Sequence, residues 1–119
     1  MFLKVLRAKL HRGTVTQADI EYVGSIAIDP DIYEAVGMLE GESVLVSDIN
    51  NGARFETYVA KGQRGTGMMC VNGAAARLVS AGDRIIVMAF GYMTPEEARA
   101  NKPGVLLLDE KNRVVKRLS

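Results

Sequence analysis

Arg84-Ile85-Ile86-Val87-Met88-Ala89-Phe90-Gly91-Tyr92 holds the longest apolar strand pattern in the chain. The turn signal Gly82-Asp83 precedes it and Thr94-Pro95 stops it. An apolar run of this length between breakers reads as a buried strand. Toward the C-terminus, Thr94-Pro95-Glu96-Glu97 carries a helix start: Thr94 as N-cap, Pro95 first inside, Glu97 at the capping-box position. Val105–Leu108 reads as a final strand, and residues 111–119 as a basic, solvated and flexible tail.

Toward the N-terminus the same alternation of short strands and turns continues. Met68-Met69-Cys70-Val71 is a buried strand running into Asn72-Gly73-Ala74-Ala75-Ala76, a tight turn that opens a helical turn. Gly62, Gly65 and Gly67 form a flexible connection whose spacing fits no phosphate-loop motif. Asn50-Asn51-Gly52 joins strands Glu42–Asp48 and Arg54–Val59 as a hairpin. Asp29-Pro30 starts a helix carrying Ile32, Ala35 and Val36, and Gly37 ends it. Ile26-Ala27-Ile28 is a short buried strand. Residues 2–16 read as strand, a turn near Gly13, then strand, with Leu6, Ala8 and Leu10 on one face and Arg7, Lys9 and His11 on the other. Those three cations suit either a solvated face or a wall for an anionic ligand. Six or more short strands, two short helices and frequent glycine turns make the chain mainly β. A small closed or nearly closed barrel is expected, because closure removes sheet edges.

The 119 residues fit one domain, and 48% hydrophobic with 24% charged residues is ordinary for a protein with a real core. A formal net charge of +1 gives no electrostatic footprint for nucleic acid or an anionic membrane. Cys70 is the only cysteine, which excludes an internal disulfide and a cysteine metal cluster and suits a reducing cytoplasm. It reads as a small buried apolar residue. No apolar run approaches a membrane span, and the charged N-terminus is no signal peptide.

One dipeptide has chemistry of its own. Gly24-Ser25, within Tyr22-Val23-Gly24-Ser25, is a common turn dipeptide. It is also a bond a chain can break by itself. The serine hydroxyl attacks the preceding carbonyl and converts amide to ester. Glycine leaves that carbonyl unshielded and permits strained backbone angles. Elimination of the ester leaves dehydroalanine, which hydrolyses to a pyruvoyl ketone at a new N-terminus.

Lys9-Leu10-His11-Arg12, Thr14-Val15-Thr16, Ala18-Asp19, Tyr22-Val23-Gly24-Ser25, Asn51-Gly52, Arg54-Phe55, Thr57-Tyr58 and Val71-Asn72-Gly73-Ala74-Ala75-Ala76 recur in order and spacing. Together they resemble the bacterial aspartate 1-decarboxylase family. Gly82-Asp83 and Pro95-Glu96-Glu97-Ala98-Arg99 continue the match, which covers residues 3 to 103. The resemblance implies a double-psi β-barrel and a homotetramer with active sites between subunits. It implies self-cleavage into a β chain, residues 1–24, and an α chain, residues 25–119. It also implies pyruvoyl-dependent decarboxylation of L-aspartate to β-alanine for pantothenate and coenzyme A synthesis. The cofactor would be built in, with no metal and no pyridoxal phosphate. The chain departs from the pattern at Ser47, where many members carry Trp.

The resemblance assigns roles residue by residue. Ser25 becomes the ketone that takes the substrate amine as a Schiff base, and Gly24 supplies the cleaved carbonyl. Tyr58 donates the proton. Thr57 is the candidate to hydrogen-bond the Gly24 carbonyl as it gains charge. Lys9 and Arg54 are expected on the side-chain carboxylate, because a cation on the departing carboxylate would stabilise the ground state. Asn72, Gly73, Ala74 and Ala75 offer a turn with backbone donors, and His11, Tyr22 and Ile86 stand in a second tier. Strand alternation sets Thr57 and Tyr58 on opposite faces, so either a local distortion or a pocket shared between subunits is expected. Two alternatives stay open: a pyruvoyl decarboxylase for another amino acid, and a non-catalytic barrel with the Gly24–Ser25 bond intact.

Overall fold

The structure, a computed structural model, describes residues 1–119. The elements follow as β1 (Leu3–Thr14), β2 (Gln17–Asp19), β3 (Ser25–Ile28), α1 (Pro30–Ala35), β4 (Ser43–Asp48) and β5 (Arg54–Lys61). Then come β6 (Met69–Asn72), a 3-10 helix (Gly73–Leu78), β7 (Arg84–Met93), α2 (Pro95–Ala100), β8 (Gly104–Leu108) and β9 (Val114–Arg117). The fold is mainly β with three short helices; the 3-10 helix after Asn72 is the helical turn expected there.

The strands form one sheet in the order β2-β6-β3-β5-β4-β7-β1-β8-β9. Three neighbour pairs are parallel: β1–β8, β2–β6 and β3–β5. One face packs into a single core that includes Ala8, Leu10, Ile26, Val46, Val59 and Val87. The apolar stretch around Ile85–Phe90 earns its length: β7 pairs with β1 on one side and β4 on the other.

The local start and stop signals act as read. Asp29 caps α1 by accepting from Asp31 N at 2.9 Å, and Thr94 and Glu97 complete the capping box of α2. Asp29 also accepts from Gly65 N at 3.1 Å and Gly67 N at 2.9 Å. Those glycine amides therefore hold an internal carboxylate. Burial opposes its ionisation, but the backbone donors of Gly67, Gly65 and Asp31 outweigh it and keep Asp29 below the usual carboxylate range.

Two readings are corrected. Gly13 is not a turn. The irregularity is a shift in the β1–β7 register between His11 and Gly13, with Arg12 at φ 63°. Gly13 lies within β1, where a Cβ would lie 2.6 Å from Met69 Sδ. Residues 111–119 are not simply a tail. Val114–Arg117 adds to β8 as an exposed edge strand, and Asn112 is buried, bonding Thr14 N, Thr14 O and Gly67 O.

The β4–β5 hairpin is docked on the turn before β7. Ile49 N donates to Arg84 O, Arg84 N to Asn50 Oδ1, and Asn51 Nδ2 to Leu78 O. Beneath these bonds Asp48 is 1% exposed, and its Oδ2 has no donor. Burial, then a shared hydrogen bond with Asp83 and the charge of Asp83, push Asp48 up to about 6. The carboxyl is raised in the fold, so its stabilisation is present below its unfolded value near 3.8 and is lost as pH rises to about 6. Asp48→Asn supplies a permanent N–H toward Asp83. It should abolish that pH-dependent loss and raise stability at pH 7 by about 2 kcal/mol. Thermal melting of both proteins from pH 4 to 8 checks this; curves that stay parallel would refute it.

Candidate active site

β3 begins at Ser25 and lies between β5 and β6. Ile26 pairs with Val59 on one side and Val71 on the other, all on the core face. Ser25 and its partner Asn72 consequently face away from the core, yet each is only 4% exposed. Asn72 Nδ2 donates to Ser25 Oγ at 3.2 Å. Cys70 lies two residues earlier on the same strand face, and its Sγ donates to Asn72 Oδ1 at 3.1 Å. Burial, and secondarily the charge of Asp19, push the Cys70 thiol up, which keeps it a donor. A cleft of about 320 Å³ opens beside this chain of bonds, lined by Asp19, Tyr22, Lys61, Cys70 and Asn72.

The demand for glycine falls on Gly73, not on Gly24. Gly24 is not in the left-handed region, and a Cβ there would meet nothing within 4 Å. Gly73 has φ +77°, and a Cβ on it would lie 2.6 Å from Gly24 Cα and 2.9 Å from Gly24 N. Its bare backbone is what lets the Tyr22–Gly24 segment approach β6.

A second group lies on the outer sheet face. Arg54 pairs with Ser47, Ser47 with Ile86, and Ile86 with His11, so four side chains form a row across β5, β4, β7 and β1. Arg54 Nη1 donates to Ser47 Oγ at 3.1 Å. The adjacent row runs Glu56, Leu45, Met88, Lys9. Arg7 is withdrawn from the cationic wall by a bidentate pair with Glu42 and a bond to Gly37 O. His11 is lowered by burial first, then by Lys9, Arg12 and Arg84. These effects favour the neutral imidazole, and its buried Nδ1 has no partner.

The aspartate decarboxylase family model matches residues 1–115. The chain belongs to the aspartate decarboxylase family. The aspartate 1-decarboxylase of Lactiplantibacillus plantarum is 54% identical over 118 residues, covering 99% of this chain and 91% of its own length. That of Caldicellulosiruptor saccharolyticus is 53% identical over 116 residues, covering 98% and 91%. That of Bacillus cereus is 51% identical over 118 residues, covering 99% and 93%.

Within one chain of this family the candidate residues divide into two sets. Gly24, Ser25, Tyr22, Asn72 and Gly73 come together. Tyr58 precedes Val59 as Ser25 precedes Ile26, Val59's partner, so Tyr58 and Ser25 share the outer face of neighbouring strands. Thr57 pairs with Val44 and turns toward the core; the β4–β5 register runs without a shift, so the expected distortion of β5 does not occur. Ala74 is exposed and Ala75 packs on the core. Lys9 and Arg54 are not adjacent: β7 and β4 separate their strands, three strand spacings or about 14 Å. Arg54 also lies four residues before Tyr58, about 13 Å along β5. Sequence reading missed Cys70. Its i, i+2 spacing from Asn72 on one strand was the available signal. No group of three or more His, Cys, Asp or Glu is placed to share a metal, and no helix is long and apolar enough to cross a membrane.

Proposed function

We propose that this chain is a pyruvoyl-dependent aspartate 1-decarboxylase that matures by breaking its own Gly24–Ser25 bond, giving chains 1–24 and 25–119. The carrying observation is the 3.2 Å bond from Asn72 Nδ2 to Ser25 Oγ at a Gly–Ser bond, in a chain of this family. Donation to Oγ stabilises negative charge as the hydroxyl loses its proton and attacks the Gly24 carbonyl carbon. The C–N bond breaks and the Ser25 nitrogen takes up a proton, leaving an ester. A base then removes the Cα proton of residue 25, the Cβ–Oγ bond breaks, and Gly24 departs as a carboxylate. Water and loss of ammonia convert the remaining dehydroalanine to the ketone. Thr57 is the donor for the Gly24 carbonyl. Its support is positional: it precedes Val59 by two residues, as Gly24 precedes Ile26.

The surroundings of residue 25 fit such a group: a buried amide donor at Asn72, and Gly73 without a side chain to crowd it. Once formed, the group supplies an electrophilic ketone that accepts the substrate amine and draws electrons from the breaking carbon–carbon bond. The chain's own residues do the rest. Arg54 and Lys9, three strand spacings apart in one chain, would hold the side-chain carboxylate, the one that survives, from different copies. The Tyr58 hydroxyl gives a proton to the carbon that has lost CO₂. The Asn72–Ala75 turn offers backbone donors, and His11, Tyr22 and Ile86 shape the walls.

The separation of Lys9 from Arg54 by two intervening strands in one chain supports sites shared between copies, as in a homotetramer. Exposed Tyr22, Val23, Tyr58 and Tyr92 suit burial between copies. Closure into a double-psi barrel is supported by the mixed parallel pairs. It is also supported by bonds across the β1–β2 connection, Val15 N to Asp83 O and Thr16 N to Met69 O, each 2.8–2.9 Å. The product would feed pantothenate synthesis in the cytoplasm.

The test is CO₂ and β-alanine release from aspartate, asparagine and glutamate. Aspartate should be preferred strongly, since asparagine offers no carboxylate to Arg54. Equal turnover of asparagine would refute the clamp. Gly73→Ala puts a methyl group 2.6 Å from Gly24 Cα at φ +77°. It should slow self-cleavage by at least about tenfold, because strain and clash each cost about 1 kcal/mol or more. Mass spectrometry over time measures this; cleavage at the unaltered rate would show that the Gly24–Gly73 approach is dispensable.

A further inference from the structure

We propose that Cys70 is a positioning residue for self-cleavage: its thiol fixes the orientation of the Asn72 amide and so decides which atom of Asn72 meets Ser25. The inference rests on Ser25 being the nucleophile. An asparagine amide has two chemically different ends, and in a pocket with one hydroxyl either end could turn toward it. If Oδ1 faced Ser25, the hydroxyl would donate its proton to Asn72 and its lone pairs would be held back. With Nδ2 facing Ser25, Oγ is an acceptor, its own proton is uncommitted, and negative charge on it is stabilised.

The neighbouring thiol makes the choice. Cys70 Sγ lies 3.1 Å from Asn72 Oδ1, and the side chain is 8% exposed. A thiol that stays protonated can satisfy an oxygen but offers little to an N–H. Strand register brings this about: Cys70 pairs with Ala27 and Asn72 with Ser25, so Cys70 and Asn72 share one face of β6. Gln17 in β2 pairs with Cys70, and Asp19 with Asn72, closing the other side. Met69 and Val71, between them in sequence, face the core.

Three variants test the inference by rate. Cys70→Ser keeps a donor to Oδ1 and should cleave within about threefold of the parent. Cys70→Ala removes the donor and should cleave about 5–30-fold more slowly, the range expected for one lost hydrogen bond at a buried polar pair. In an Asn72→Ala background Cys70→Ala should have no further effect, because the thiol acts only through that amide. Cys70→Ala cleaving at the parental rate, Cys70→Ser as slow as Cys70→Ala with an unchanged melting temperature, or full additivity with Asn72→Ala would each overturn it. A second readout does not depend on cleavage. The chain has one thiol, hence one infrared S–H stretching band. In Ser25→Ala, which cannot cleave through this hydroxyl, that band should lie at the hydrogen-bonded, lower frequency and should rise when Asn72→Ala is added. A band already at the free-thiol frequency would overturn the Cys70–Asn72 bond whatever Ser25 does.

Discussion

Ser25→Ala should leave the chain in one piece and without decarboxylase activity. The variant removes a single oxygen from a residue that is 4% exposed, paired with Asn72 across the β3–β6 ladder. Packing changes little, because Ile26 on the next position carries the core contact with Val59 and Val71. The cost to folding is limited to leaving Asn72 Nδ2 without its acceptor, about 1–2 kcal/mol. The chemical cost is complete. Without Oγ there is no ester, without the ester no elimination, and without elimination no ketone. Activity should fall to the uncatalysed background, and the chain should not react with hydrazines. Ser25→Cys separates nucleophile from shape: a thiol can attack the same carbonyl, so partial cleavage is expected. An active, uncleaved Ser25→Ala protein would remove the basis of the mechanism.

Tyr58→Phe should give the opposite division: cleavage intact, turnover lost. Tyr58 is 43% exposed on the outer face of β5 and pairs with Ser43, away from the core. Removing its hydroxyl breaks no packing, and the Ser25–Asn72–Cys70 bonds do not include it. Self-cleavage should proceed at the parental rate. Turnover of aspartate should fall by about 10²–10⁴-fold, the contribution of a positioned proton donor. The pH profile should also change, because the phenol no longer supplies the proton. Tyr58→Phe turning over aspartate at the wild-type rate would transfer the proton-donor role to another group or to water. Thr57→Val, one residue away on the core side, should slow cleavage instead.

The parts of the fold written locally in the chain were readable. Asp29-Pro30, Asn50-Asn51-Gly52 and Thr94-Pro95-Glu96-Glu97 are each settled by side chains a few residues apart, and each forms the cap or turn expected. Gly13 misled because a glycine's reason can lie in a distant neighbour. Gly13 makes room for Met69, and the glycine required at the cleavage segment is Gly73, on another strand. β9 escaped because its residues are exposed on both faces and its pairing to β8 is made by backbone, which leaves no alternation to read. The site divides the same way. Ser25 and Asn72 were recognisable by their motifs, but the separation of Lys9 from Arg54 follows from strand order, which no local pattern encodes. The Cys70–Asn72 contact needed the strand geometry of β6, since a lone cysteine in an apolar run otherwise reads as filler.

Self-cleavage at Gly24–Ser25 has one direct reading, the intact mass of the purified protein before and after hydrazine. Two species are expected, residues 1–24 and residues 25–119, the larger with a ketone in place of the serine amine and gaining a hydrazone. One unbroken 12.9 kDa chain, unchanged by hydrazine and still releasing β-alanine from aspartate, would contradict it.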